Sequence, residues 1–214
     1  MKIIIIGATG ATGRELVLQL LANKQIEQVT ALVRKPFFPP DYKLKEIVID
    51  FDHLTEYSHL IQGDVAISTL GTTLKDAGSK EAQWRVDFEY NLQFARLAKA
   101  NQVYSFVLLS ASQASPKSKL FYSKMKGELE EAIKLLQFPK LMILQPGPII
   151  RPNSNRKAEN ISIKLIKAFN KLGLLTSYTP IHSMDLARVI LYVLLEDQDE
   201  SVSIYDEKSI LAKI

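Results

Sequence analysis

The run Gly7-Ala8-Thr9-Gly10-Ala11-Thr12-Gly13 follows directly on Lys2-Ile3-Ile4-Ile5-Ile6 and leads into a periodic segment carrying Leu16, Val17, Leu20 and Leu21. An isoleucine-rich strand, a turn with glycine at every third place and a helix with i,i+4 apolar pairs form the opening of a βαβ unit. Glycine permits positive φ and lets backbone approach a phosphate. The helix behind it presents unpaired N–H groups and the positive end of its dipole. This order predicts a pyrophosphate site at Gly7, Thr9, Gly10, Ala11, Thr12 and Gly13. The spacing G-x-x-G-x-x-G matches the general dinucleotide fingerprint only in part, so position carries the argument.

The alternation continues. Short β-rich apolar runs at Lys2–Ile6, Gln28–Val33, Glu46–Ile49, Asp64–Ser68, Val103–Leu109 and Leu141–Gln145 predict strands. Helical spacing covers Glu81–Ala100, Leu120–Leu136 and Ile161–Leu172, while the proline-bearing stretches Pro36–Asp41 and Pro146–Asn155 predict loops. Right-handed crossovers then make a doubly wound parallel sheet of Rossmann type the economical α/β fold. With no linker and no internal repeat, residues 1–214 are expected to form one domain. Its last third, 149–214, is expected to supply a small substrate-side lobe.

Several classes are excluded. The chain has no cysteine, so there is no disulfide framework, Cys-ligated zinc or thiolate nucleophile. That absence accords with a reducing compartment. The apolar run behind Lys2 is too short for a signal peptide and nothing later is long enough to cross a bilayer, so a cytoplasmic protein is expected. The 27 Lys and Arg are dispersed among 23 acids, which argues against nucleic acid as a partner. His53, His59 and His182 have no ligand spacing and no metal is expected. His182 and Asp185 read as a helix start with Ser183 as N-cap.

The end of the second strand indicates which dinucleotide fits. NAD enzymes usually place an acid there and NADP enzymes a cation. This strand ends Leu32-Val33-Arg34-Lys35, with no acid before Asp41. Arg34 and Lys35 suit a 2′-phosphate, so NADP is expected over NAD. Asp50-Phe51 closes the third strand and Thr69-Leu70-Gly71 the fourth. Both are candidate walls of the same site.

Tyr122 and Lys126 stand i,i+4 on a helical segment, so the ammonium can lie near the phenol and favour proton transfer. A hydroxyl is available at the same sheet edge in Ser110 or Ser112, with Ser110 preferred because it lies closer to the strand.

With these residues in place the chain resembles the atypical short-chain dehydrogenase/reductases, and among them the family of the Tat-interacting, oxidoreductase-like tumour-suppressor protein. The resemblance rests on Ser68-Thr69-Leu70-Gly71-Thr72-Thr73, Ala77-Gly78, Arg85-Val86-Asp87 with Tyr90, Leu97-Ala98-Lys99-Ala100, Leu108-Leu109-Ser110, Tyr122 with Lys126-Gly127-Glu128, and Pro146-Gly147-Pro148, all in order. It covers Met1 through Pro148 and fades beyond. It implies an NADP(H)-binding Rossmann fold, a Ser, Tyr, Lys set on Ser110, Tyr122 and Lys126, and a nicotinamide pocket bordered by Pro146 and Gly147. Ser110-Ala111-Ser112 departs from that family's paired serines and leaves two candidate hydroxyls. The family also includes cofactor-dependent regulators. Three functions therefore stand: an NADP-dependent oxidoreductase on a small carbonyl or alcohol, a redox-sensing binding protein with a protein partner, and a sugar-nucleotide epimerase. The last ranks lowest, because the segment after Pro148 is short for enclosing a second nucleotide.

Overall fold

The computed structural model describes residues 1–150, 179–196 and 200–214. Its main sheet contains β1 (Lys2–Ile6), β2 (Gln28–Val33), β3 (Leu44–Val48), β4 (Val65–Ser68), β5 (Ser105–Leu109), β6 (Lys140–Leu144) and β9 (Val202–Tyr205). The order is β3-β2-β1-β4-β5-β6-β9 and every pairing is parallel. This is the doubly wound, Rossmann-type α/β sheet that the sequence predicts. A second ladder joins β7 (Ile149–Ile150) to β8 (Ile181–His182).

The central strands β1, β4 and β5 are buried on both faces, which explains their continuous rather than alternating apolar sequence. On one face, α1 (Ala11–Ala22) and the helix Ser183–Leu195 pack through Leu16, Val17, Leu20, Leu186, Val189 and Ile190. On the other, α4 (Tyr90–Ala100) and α5 (Phe121–Lys134) bury Phe94, Ala95, Leu129 and Ile133 against Ile4, Ile6 and Phe106. The chain winds outward from β1 in both directions. The tips of β1 and β4 therefore bound the crevice where doubly wound sheets bind ligands.

Several sequence expectations shift. The third strand starts earlier, at Leu44, and stops at Val48, while the fifth begins at Ser105 rather than Val103. The seventh strand, Val202–Tyr205, was not anticipated. It lies at the sheet edge with Val202 and Ile204 partly exposed, so it lacks the unbroken apolar signature of the inner strands. The loop expected over Pro146–Asn155 contains the short strand β7, and its remainder lies outside the described residues, as does the helix expected at Ile161–Leu172.

The long helix expected over Glu81–Ala100 is divided into α3 (Lys80–Trp84), a π-turn at Arg85–Glu89, and α4. The Asn91 amide donates to the backbone oxygens of Val86 (2.9 Å) and Asp87 (3.1 Å), satisfying carbonyls within the wide turn. Ser183 is the first helical residue rather than the cap. His182 occupies the cap position, and the buried Ser183 hydroxyl has no hydrogen-bond partner among the described residues.

Candidate functional site

The first helix begins without a side-chain cap: Gly10 is its N-cap and no acid stands in its first turn. Its leading N–H groups are thus unsatisfied by side chains and open toward the crevice. Gly7 has φ +76°, and a Cβ there would lie 2.3 Å from the Leu70 nitrogen. A Cβ on Gly13 would lie 2.2 Å from the Gly7 oxygen. The turn therefore seats backbone against backbone on the end of β4, which is possible only with glycine at these places. Thr69 Oγ1 adds a bond to the Ile6 carbonyl at 3.2 Å.

Two adjoining cavities flank this turn. One, of about 200 Å³, is lined by Gly7 to Gly10, Leu32 to Arg34, Phe51 and Thr69 to Gly71. The other, of about 160 Å³, is lined by Gly10 to Thr12, Thr69 to Thr72, Asp87, Leu109, Ser110, Tyr122, Lys126 and Ile149. Gly10, Thr69, Leu70 and Gly71 border both, so the two make one cleft across the strand tips.

Most predicted residues meet there, and several do not. Arg34 and Phe51 line the first cavity, and Phe51 packs against the Tyr90 ring at 5.7 Å. Lys35 is exposed and outside the lining. Asp50 is 59% exposed and accepts from the Asp52 N–H at 2.9 Å, capping the 3-10 segment Phe51–Leu60 instead of facing the cleft. Ser110 faces the Tyr122 cavity, whereas Ser112 lines a separate one with Gln113, Gln145 and Glu207. Pro146 and Gly147 are buried behind it: the Pro146 oxygen accepts from Ser112 N–H, and Gly147 abuts the Thr179 oxygen and Glu207. Ile149 takes the lining position that the resemblance gives to Pro146 and Gly147.

Behind the cleft lies a buried polar network. Lys126 Nζ is 5.9 Å from the Tyr122 ring centroid and 3.4 Å from Asp87 Oδ1, with the lysine and aspartate side chains 3% and 1% exposed. Burial works against the Lys126 ammonium, but Tyr122, Asp87 and Glu130 outweigh it and hold its pKa above the usual value. Burial pushes the Asp87 carboxyl up, against the pull of Lys126 and of the Thr72 N–H, which donates to Asp87 at 2.8 Å. The π-turn delivers Asp87 to this point. Asn91 extends the network by donating to the Leu70 carbonyl at 3.4 Å and accepting from the Ser68 hydroxyl.

Sequence reasoning missed Asp87, Asn91, Glu130 and Gln145 as parts of the site. For Glu130 a signal existed, since it continues the Tyr122, Lys126 stripe by another four residues. It accepts from the Ser110 hydroxyl and from Gln145 Nε2 at 2.9 and 3.0 Å. Gly127, on the same helix, has its bare α-carbon against the Ser115–Pro116 backbone, where a Cβ would lie 2.2 Å from the Ser115 carbonyl carbon.

The profile of an NAD(P)H-binding family matches residues 7–197. The chain is 36% identical to the rat protein HTATIP2 over 153 residues, 70% of this chain and 63% of that protein. It is 34% identical to the mitochondrial protein fmp52 of Emericella nidulans over 179 residues, covering 80% of this chain and 77% of that protein. Among solved structures, the oxidoreductase ylbE of Lactococcus lactis superposes with a TM-score of 0.72 at 19% identity, over 99% of this chain and 96% of that one. MoeE5 in complex with UDP-glucuronic acid and NAD reaches 0.74 at 16% identity, over 97% and 76%. The FMP52 relatives overturn the cytoplasmic expectation: those of E. nidulans, Saccharomyces cerevisiae and Meyerozyma guilliermondii are named as mitochondrial proteins. By its glycine turn, its strand order and these matches, the chain belongs to the NAD(P)H-binding family of Rossmann-fold proteins that includes HTATIP2 and FMP52.

Proposed function

We propose that this protein is an NADP(H)-dependent oxidoreductase acting on a small carbonyl or alcohol. The observation that carries the reading is the convergence of Ser110, Tyr122 and Lys126 on a cavity continuous with the glycine turn. The pyrophosphate would rest on the open N-terminus of α1 at Gly10 to Thr12, with Thr69 to Gly71 as the opposite wall. Arg34, at the far end of the cleft, would take the 2′-phosphate.

When bound, NADPH supplies a hydride for the carbonyl carbon. Tyr122 hands its hydroxyl proton to the carbonyl oxygen, so two electrons and two hydrogens arrive and an alcohol leaves. The Lys126 ammonium stabilises the phenolate that remains. Asp87, in turn, fixes the ammonium beneath the ring. Residues 149–214 are proposed to complete the substrate side of the same domain.

Paired fluorescence titrations with NADPH and NADH test the cofactor. Arg34→Ala is expected to weaken NADPH by about ten- to a hundredfold, the loss of one charge-assisted pair, and to leave NADH little changed. With a carbonyl panel, Tyr122→Phe is expected to lower kcat by at least about a hundredfold at unchanged NADPH affinity. Equal turnover in the variant and the parent removes Tyr122 from the mechanism. Tight NADPH binding without turnover over the whole panel instead supports a regulatory protein that senses its cofactor.

A further inference from the structure

The Ser110 hydroxyl, which lines the cavity beside Tyr122 where a substrate oxygen would lie, is already committed. It donates to Oε1 of the buried Glu130, which does not line the cleft. Ser110 is 5% exposed and Glu130 4%. Glu130 is otherwise held by the Gln145 amide, which donates to both its oxygens. Oε1 therefore receives two bonds and Oε2 one, leaving Oε2 free to carry a proton.

We propose that Glu130 is a positioning residue that sets which way Ser110 serves the cleft: as a carboxylate it accepts the Ser110 hydrogen bond, and as an acid it releases that hydroxyl to donate to a substrate oxygen. This rests on the oxidoreductase reading above and adds a selection between its two substrate forms. With Glu130 ionised, Ser110 offers only lone pairs, which suit the O–H of an alcohol. With Glu130 protonated, Ser110 can donate to a carbonyl oxygen alongside Tyr122. The proton exchanged between the two states comes from solvent and no further reactant is needed.

The groups packed around Glu130 act on its charge in both directions. Burial raises the Glu130 carboxyl, against the bonds from Ser110 and Gln145. Lys134 and Glu131 act on it from its own helix with opposite signs, and Lys126 faces it one turn back. The end of β5 contributes only the Ser110 hydroxyl, and the end of β6 only the Gln145 amide. Beyond Gln145, across a cavity of about 220 Å³, stand Asp206, Glu207 and Lys208. The Asp206 carboxylate caps Ser209, and the Glu207 carboxylate accepts from the Thr179 N–H.

Two measurements test the proposal, one without any turnover. Infrared difference spectra of the whole protein across pH follow the C=O stretch of a protonated carboxyl, assigned to Glu130 by its loss in Glu130→Gln. Ser110→Ala removes a bond made only to the charged form, so it is expected to raise the midpoint by about one pH unit. An unmoved midpoint overturns the proposal. The second follows NADPH oxidation with 4-nitrobenzaldehyde. The parent kcat is expected to fall roughly tenfold as pH rises through that midpoint, the loss of about one hydrogen bond to the reacting oxygen. Glu130→Gln, which has no titrating proton at this position, is expected to stay flat at unchanged NADPH affinity. A parallel fall in the variant overturns the proposal. If the parent oxidises no NADPH with any carbonyl, the oxidoreductase reading fails, and the infrared midpoint in Ser110→Ala alone decides whether Glu130 holds the serine proton.

Discussion

Replacing Asp87 by asparagine isolates the charge that faces Lys126. The two groups are 3.4 Å apart and both are buried. At an effective dielectric of about 20, Coulomb attraction at that distance is about 5 kcal/mol. A second route gives a ceiling. Stranded without its partner, Lys126 can release its proton, which from its ordinary value of 10.5 costs about 5 kcal/mol at pH 7. Tyr122 and Glu130 remain beside the ammonium and offset part of the loss. Asparagine also keeps an oxygen for the Thr72 N–H. Asp87→Asn is therefore expected to cost about 3 kcal/mol, at the low end for breaking a buried pair. Urea unfolding at pH 7 measures it, with Lys126→Met and the double variant completing the cycle. The double variant leaves neither charge of the pair and should recover about 2 kcal/mol relative to Asp87→Asn. A single-variant loss under about 1 kcal/mol, or a double variant as unstable as the sum of the singles, refutes the pairing.

Other outcomes follow from the same structure. Gly7→Ala places a Cβ 2.3 Å from the Leu70 backbone at positive φ. It should lower stability by more than about 2 kcal/mol, and NADPH titration should show binding lost with it; near-parental values in both would mean that the turn can rearrange. Ser183→Ala removes a buried hydroxyl that has no partner among the described residues. It should raise stability by about 1 kcal/mol in thermal unfolding, and a loss of similar size would reveal an acceptor for that hydroxyl.

What the sequence reveals and what it conceals divide along a physical line. Local signals sufficed where one segment carries its own pattern. The Ile3–Ile6 run, the glycine turn and the Leu16, Val17, Leu20 face each point to their element without help from the rest of the chain. The five inner strands announced themselves because parallel strands covered on both faces are apolar throughout. Edge strand Val202–Tyr205 alternates weakly and passed unnoticed. The π-turn at Arg85–Glu89 is invisible for another reason: apolar periodicity continues through it, and the extra residue in the turn depends on bonds from Asn91 that only the folded chain makes. Tyr122 and Lys126 were legible as a helical pair. Asp87 and Gln145 were not, since they join the polar network around Lys126 and Glu130 from positions 39 residues before and 19 after Lys126, set by tertiary packing. Asp50 was misassigned because an acid beside Phe51 at a strand end serves equally well as a cap.

The bare face of Gly127 has a consequence for chemistry. Tyr122, Lys126 and Glu130 share one stripe of α5, and a helix turns about 100° per residue, so their joint aim depends on a single angle. The Ser115–Pro116 backbone lying on Gly127 fixes that angle as a key fixes a shaft. A side chain at this position need touch none of the three groups to misdirect them all.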